Sequence, residues 1–287
     1  MANTIDQAYI DTFESNVRHL AQQEGSRLRS AVTTVMTNGQ NHNWERISPT
    51  EALVKSGRLV DTPVADIPWS RRVSVMGSYH AAESTESEDY LQMLVDPNSA
   101  ITRNLAAGMN RRVDDIIIGA ATADALDGDG VSNAFPASQE VGGLYTAAFT
   151  TDLIQEVGEK FQTNDIDPDE EKFWVVSPKM VRQMLNQEKL TSSDYQAVQA
   201  LAGNGMVSGF LGFNFILSNR LLSPGANQLD SFAFTRAALG LQVNGDITAK
   251  AGEDPSKSFA MRFYTEMHMG AVRVEDEQIV RVKFNNA

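Results

Sequence analysis

DPNSAITRNLAAGMNRRVDDIIIGAATADAL, residues 96–126, reads as one long amphipathic helix. Asp96 can cap its first turn, Pro97 suits the first helical position, and Asp127 and Gly128 stop it. Ile101, Leu105, Met109, Val113, Ile116 or Ile117, and Ala120 recur in steps of three and four, which places them on one face. Arg103, Arg111, Asp114 and Asp124 fall off that stripe, and charges this dense exclude a membrane span. Roughly 30 residues at about 1.5 Å each make a rod of about 45 Å. That is long for a compact domain, so the helix is expected to act as a beam on which other elements are hung.

On its N-terminal side the texture is different. Residues 38–90 carry three prolines and little helical period, which predicts extended or looping chain with a loose hairpin of Ala52–Val60 against Arg72–Tyr79. An excursion of this length has little core of its own, and a partner in another subunit is the simplest completion. Its charges are sorted: Lys55, Arg58, Arg71 and Arg72 lie in the arm, and Glu83, Glu86, Glu88 and Asp89 just before the helix. These basic residues and Glu83, Glu86 and Glu88 are the candidates for contacts between subunits; the plainer alternative is a solvated loop, since exposed pairs contribute only about 0–1 kcal/mol each. Further upstream, Ile5, Tyr9, Phe13, Val17, Leu20, Leu28, Val32 and Val35 predict a helical arm over residues 4–37, with a kink at Gly25.

On the C-terminal side, residues 127–143 are turn-rich. Leu153, Ile154, Val157 and Phe161 predict a helix capped by Thr151 or Asp152. Phe173–Val176 is a strand, Ser177 and Pro178 start a helix through Met180, Val181, Met184 and Leu185, and Phe213–Leu217 is a further strand. Residues 151–230 thus form an α+β lobe. Ser231–Thr235, Ala237–Thr248, Phe259–Met267 and Ile279–Phe284 are β-prone, with Lys250–Lys257 a polar loop. These late strands offer the helix stripe a surface.

The 287 residues include 42% hydrophobic ones, enough for a substantial core, and a net charge of −13 argues against gripping nucleic acid. The absence of cysteine removes disulfides and thiolate chemistry, and neither a signal peptide nor a membrane-length apolar run is legible. His19, His42, His80 and His268 lack metal-ligand spacing. Asp127 and Asp129 resemble a calcium loop only until Val131, which occupies a ligand position, so a turn is expected. Gly203, Gly205 and Gly209 miss the dinucleotide fingerprint by one residue, and Gly205, Ser208 and Gly209 are out of register for a nucleophile elbow. No catalytic, cofactor-binding or metal-binding residue is assigned, and the chain reads as a non-enzyme; a hydrolase with a dispersed site is the distant alternative.

Three stretches in this order carry a family resemblance: RRVSVMGSYHAAESTESEDYLQMLVDPNSAITRNLAAGMNRRVDDIIIGAATADA, with Arg112 before Asp114, Asp115 and Ile116; FWVVSPKMVRQML followed by GFLGFNFILSNRL; and AALGLQVNGDITAKAGEDPSKSFAMRFYTEMHMGAVRVEDEQIVRVKF. Together they resemble the major capsid proteins of tailed bacteriophages, which have the Hong Kong 97-like fold. The resemblance implies an α+β chain with an N-terminal arm (1–37), an extension loop (38–80), a peripheral domain (81–150) holding a spine helix (97–126), an axial domain (151–230), and peripheral strands with a closing strand (231–287). It implies self-assembly through hexamers and pentamers into an icosahedral virion shell, built in the host bacterial cytoplasm around double-stranded DNA that is enclosed without specific binding. Scaffolding and portal proteins, and in some relatives a decoration protein, are the implied partners; no cofactor or membrane is implied. The arm begins within a few residues of Met1, so the chain is expected to be either short by design or a product of cleavage, with a separate scaffolding protein favoured. The founding member's lysine-to-asparagine crosslink is not carried over, since no matching lysine, asparagine and glutamate set is found. An encapsulin-like compartment shell of the same fold is the alternative.

Overall fold

A computed structural model describes residues 22–86 apart from 53, 56, 62, 63 and 65, and residues 98–146, 148–186 and 209–285. Most of the N-terminal arm, the Asp96–Pro97 helix start, Glu88, Asp89 and the glycines at 203 and 205 lie outside the described residues. The first described elements are strands β1 (Thr33–Met36), β2 (Asn41–Ile47), β3 (Trp69–Val75) and β4 (Gly77–Thr85), then the long helix α1 (Asn98–Thr122). Three short strands follow, β5 (Ala125–Asp127), β6 (Ser132–Asn133) and β7 (Glu140–Val141), and then helix α2 (Thr151–Thr163), β8 (Lys172–Val176) and helix α3 (Pro178–Leu185). The chain closes with β9 (Gly209–Phe210), β10 (Phe213–Leu217), β11 (Gln228–Thr235), β12 (Leu239–Val243), β13 (Thr248–Asp254), β14 (Ala260–Arg273) and β15 (Ile279–Asn285). The mixture is α+β.

Two compact units divide the chain, and β4, α1 and β14 have residues in both. The smaller draws its described residues from 22–25, 78–86, 98–111 and 246–267. There β13 pairs antiparallel with the first half of β14, from Thr248 opposite Glu266 to Asp254 opposite Ala260. Residues Lys250–Asp254, expected as loop, are therefore strand: the polar side chains are exposed along an edge, and backbone pairing rather than burial holds them. In the first half of α1, Arg103 binds Glu24 at 2.7 Å, and Arg111 donates to Gln22 at 2.8 Å and to the Gln23 carbonyl at 3.0 Å.

The larger unit holds a six-stranded sheet in the order β7-β15-β11-β8-β10-β9. Thr150, one residue before the expected cap, accepts from the Leu153 amide and starts α2; Ser177 does the same for Met180 ahead of Pro178 and α3. β8 and β10 run parallel, and β11, buried from Leu229 to Thr235, lies between β8 and β15. β11 is buried on both faces, and its polar members Asp230, Ser231 and Thr235 are held by hydrogen bonds to Tyr145 and Arg281, to Trp174 and the Val175 carbonyl, and to Gln278. Trp174 is the core's anchor. Its ring meets Phe149 and Phe213 edge-on at 5.2 Å each, and its indole N–H donates to Ser231 Oγ at 2.8 Å, so burying the indole leaves no donor unpaired. β11, which spans the expected boundary at 230, and β15, which follows it, belong to the same sheet as β8 and β10.

Three expectations need correction. The arm's last part is not helix: residues Arg29–Ala31 make a single 3-10 turn, and β1 then pairs parallel with β12, from Thr33 opposite Gly240 to Met36 opposite Val243. Val32, Thr33, Thr34 and Val35 are β-branched, a bias toward strand that the helical spacing of Leu28, Val32 and Val35 masked. The long helix stops at Thr122, because Ala125–Asp127 is taken up by backbone pairing with β6 and β3. Met109, Val113 and Ile117 are buried as the stripe predicts, but so is Asp114, which is 1% exposed although it falls off the stripe. Its carboxylate accepts from Ser26 Oγ at 2.6 Å and from the amides of Arg27 and Leu28 at 3.1 and 3.2 Å, fixing the chain that enters β1. Asp115 next to it holds Arg220 through two bonds of 2.5 Å, and this bond raises the guanidinium pKa further.

Tyr145 donates to Asp230 of β11 at 2.7 Å while Arg281 of β15 binds the other Asp230 oxygen at 2.5 Å. Burial, then the Asp230 hydrogen bond, pushes the phenol up from 10.0 to about 12. A raised folded-state pKa means the neutral phenol supports the fold fully below pH 10 and the support is lost as pH rises toward 12. Tyrosinate absorbance should therefore lose a component titrating at about pH 12 in Tyr145→Phe; a Tyr145→Phe curve superimposable on the parent would contradict this.

Candidate assembly surface

β2 and β3 form an antiparallel hairpin from Asn41 opposite Val75 to Ile47 opposite Trp69, closed beyond by the Ser48 amide bonding the Pro68 carbonyl at 3.1 Å. The expected hairpin of Ala52–Val60 against Arg72–Tyr79 is thus corrected: β2 lies earlier, and the described residues between Ser48 and Pro68 form no strand. The signal was in NHNWERI, where the partly buried positions His42, Trp44 and Arg46 alternate with exposed Asn43, Glu45 and Ile47. Trp44 and Arg46 are large and polar-tipped, so a hydrophobic/polar count does not register the period.

Two glycines let the hairpin approach the β12–β14 layer of the larger unit. A Cβ on Gly240 would strike the Trp44 ring, and one on Gly270 would strike the Val75 carbonyl. Trp44 packs on Ala125, Val272 and Val274, and its indole donates to Ser74 Oγ at 3.1 Å. Ser74 in turn donates to Gln242 Oε1 at 2.8 Å, and Gln242 Nε2 donates to Thr37 and to the Gly39 carbonyl, both at 2.9 Å. This buried polar chain gives each amide atom of Gln242 a partner.

The turn between β14 and β15 adds a charged staple. Arg46 binds Glu275 at 3.1 and 3.3 Å, and Arg72 binds Asp276 at 2.7 Å. The second oxygen of Asp276 takes Arg273 at 2.6 Å. Arg273 is fully buried; its other N–H groups reach the carbonyls of Ala123, Asn133 and Ala134 at 2.6, 3.2 and 3.2 Å, and Phe135 covers its face at 4.9 Å. The hairpin base is therefore fastened to its own chain by packing and by charge.

Past the base the character reverses. Val54, Leu59 and Val64 are 94%, 92% and 94% exposed, and Trp69 is 70% exposed. Isolated exposed apolar residues are ordinary, but with Val60 there are five large ones within sixteen positions on one excursion, a surface that water does not favour. Lys55 and Arg58 are exposed among them.

The sequence candidates separate on this frame. Arg71 is half exposed and pairs with Glu45 at 3.2 Å, while Arg72 is 6% exposed and committed to Asp276 within its own chain. Glu83 and Glu86 are exposed in the smaller unit, and Glu88 lies outside the described residues. Arg46, Arg273, Glu275 and Asp276 were not singled out from sequence: the pairs of Arg46 with Glu275 and of Arg72 with Asp276 join residues over 200 apart and leave no local pattern, and the short Arg273–Asp276 spacing does not reveal burial. The Asp127–Asp129 segment is the expected turn, with the Gly130 amide bonding the Asp127 carbonyl at 3.0 Å. Replacing Arg71 with methionine should change unfolding free energy by no more than about 0.5 kcal/mol, whereas Arg72→Met should cost about 2 kcal/mol; urea unfolding of the two variants side by side checks the contrast, which equal midpoints would remove.

A subunit fastened at the base of a long excursion, whose outer part carries uncovered apolar side chains, is shaped for association with further subunits. The chain belongs to the phage capsid protein family, whose family model matches residues 5–286. It is a major capsid protein, the structural subunit of the phage head shell. No curated protein is significantly similar to it in sequence. Solved shells are similar in fold: the capsid of cyanophage P-SCSP1u at 12% identity and TM-score 0.77, over 100% of this chain and 96% of that one. The capsid of Ralstonia phage GP4 is 10% identical with TM-score 0.74, over 97% and 95% of the two chains. Mycobacterium phage Che8 is 17% identical with TM-score 0.69, over 96% and 97%.

Proposed function

We propose that the chain builds its shell in the Hong Kong 97-like manner, with the segment between Ser48 and Pro68 as the outer part of an extension loop that lies across the adjacent subunit. The exposure of Val54, Leu59, Val64 and Trp69 beyond a firmly held hairpin carries this reading. In it α1 is the spine helix and residues 151–230 are the axial lobe near capsomer centres. The smaller unit's strands and the β12–β14 layer are peripheral, and residues 1–37 are an arm. Repeated contacts of this kind give hexamers and pentamers of an icosahedral head. Lys55, Arg58 and half-exposed Arg71 are the basic contacts retained, with Glu83, Glu86 and Glu88 as acidic ones. Assembly takes place in the host cytoplasm with a scaffolding protein and a portal, with room for a decoration protein. A net charge of −13 suits a wall that encloses DNA without adhering to it. Expression of the full chain followed by negative-stain microscopy should give closed shells; a monodisperse subunit at every concentration would overturn the proposal.

A further inference from the structure

In the larger unit, α2, the 3-10 turn Ala137–Gln139 and the turn before β15 enclose a cavity of about 540 Å³. Glu156 and Glu159 enter its wall from α2, three residues apart on one face, and Glu277 enters from the turn. All three are exposed, and none has an ion-pair partner among the described residues. The cation in the wall, Lys160, is turned onto the Ser138 carbonyl at 2.6 Å.

The independent sign is Gln139. It is 7% exposed, lines the same cavity, and its Oε1 has no hydrogen-bond donor. A buried acceptor without a donor is costly and rare in native proteins, and each such group calls for an explanation. The cavity is thus rich in acceptors and short of donors. A donor-bearing cation would meet the needs of both the unpaired amide oxygen and the three carboxylates. A guanidinium offers five N–H groups in a planar fork, enough to serve an amide oxygen and a carboxylate at once.

We propose that this cavity receives the Arg58 side chain of a second copy of the chain, with Lys55 beside it. Both are exposed and have no ion-pair partner among the described residues, and they stand between Val54 and Leu59, which are 94% and 92% exposed. In a chain of net charge −13 these two are among the few basic groups on an uncovered apolar segment, and the acidic cavity is their complement. One guanidinium edge donates to Gln139 Oε1 and the other to Glu159 or Glu156, as charge-assisted bonds. The inference rests on the extension-loop reading and names the surface on which that loop lands.

A charge swap tests it. Light scattering of the full chain should show that Glu159→Arg and Arg58→Glu each raise the concentration for half-maximal assembly by about tenfold, and that combining them restores it to within about threefold. Gln139→Leu should weaken assembly while leaving the urea midpoint unchanged or higher, since it removes an unpaired acceptor. Because the parent has no cysteine, Arg58→Cys with Glu159→Cys should be joined between copies by a short thiol cross-linker, and neither single variant should. Unaltered assembly of Glu159→Arg, no rescue in the combined variant, or wild-type assembly driven by added spermidine or magnesium and indifferent to Arg58→Glu would overturn this contact alone. Failure of the unaltered chain to form particles would overturn the extension-loop reading with it.

Discussion

Arg273→Met should destabilise the unassembled chain by about 3–5 kcal/mol, the usual cost of breaking a buried, fully bonded charge. The guanidinium is inaccessible to water and satisfies Asp276 and the carbonyls of Ala123, Asn133 and Ala134, with Phe135 over its face. Methionine fills much of the same volume, so the loss comes from Asp276 and three part-buried carbonyls losing their donor rather than from a cavity. Against a typical total of about 5–15 kcal/mol, a loss of this size moves the urea midpoint far down. Arg273→Lys should recover only part, because one ammonium cannot reach acceptors spread around a planar fork. A midpoint within experimental error of the parent would show that the carbonyls find other partners.

Removing residues 49–67 and joining Ser48 to Pro68 through a short turn should leave the fold intact and abolish shells. Ser48 and Pro68 already bond across the hairpin, so the cut falls where the strands end. None of the named core residues lies in the deleted part, and its described apolar members other than half-buried Ile67 are exposed. Folding stability should therefore change by no more than about 1 kcal/mol, with some gain possible from the shorter loop's smaller closure entropy. Sedimentation should find the deleted form as a small soluble species at concentrations where the parent forms particles. Particles of normal size from the deleted form would remove the segment from the assembly contacts.

What could be read from the sequence followed the locality of each signal. The α1 stripe, the caps at Ser177 and near Thr151, and the strands Phe173–Val176 and Phe213–Leu217 depend on neighbours a few residues away, and the structure has them. The errors fell where a distant partner decides. Val35 has helical spacing with Leu28 and Val32 but pairs with Gln242; Ala125 extends a helical pattern but pairs with Asn133; Lys250 reads as loop but pairs with Tyr264. Asp114 looked like a surface charge because carboxylates usually are, and only the return of Ser26–Leu28 over the helix gives it the donors that permit burial. At the assembly surface, the unpaired character of the 48–68 excursion was legible as chain with no core of its own. The choice between Arg71 and Arg72 was not, because a strand turns adjacent residues to opposite faces and the sequence does not say which faces Asp276.

The central claim, that the segment between Ser48 and Pro68 is completed by another copy, is tested most directly by cryo-electron microscopy of particles assembled from the full chain. The expected map shows closed shells in which Val54, Leu59 and Val64 of each copy are buried against a neighbouring copy. Shells in which that segment contacts only its own chain would contradict the claim.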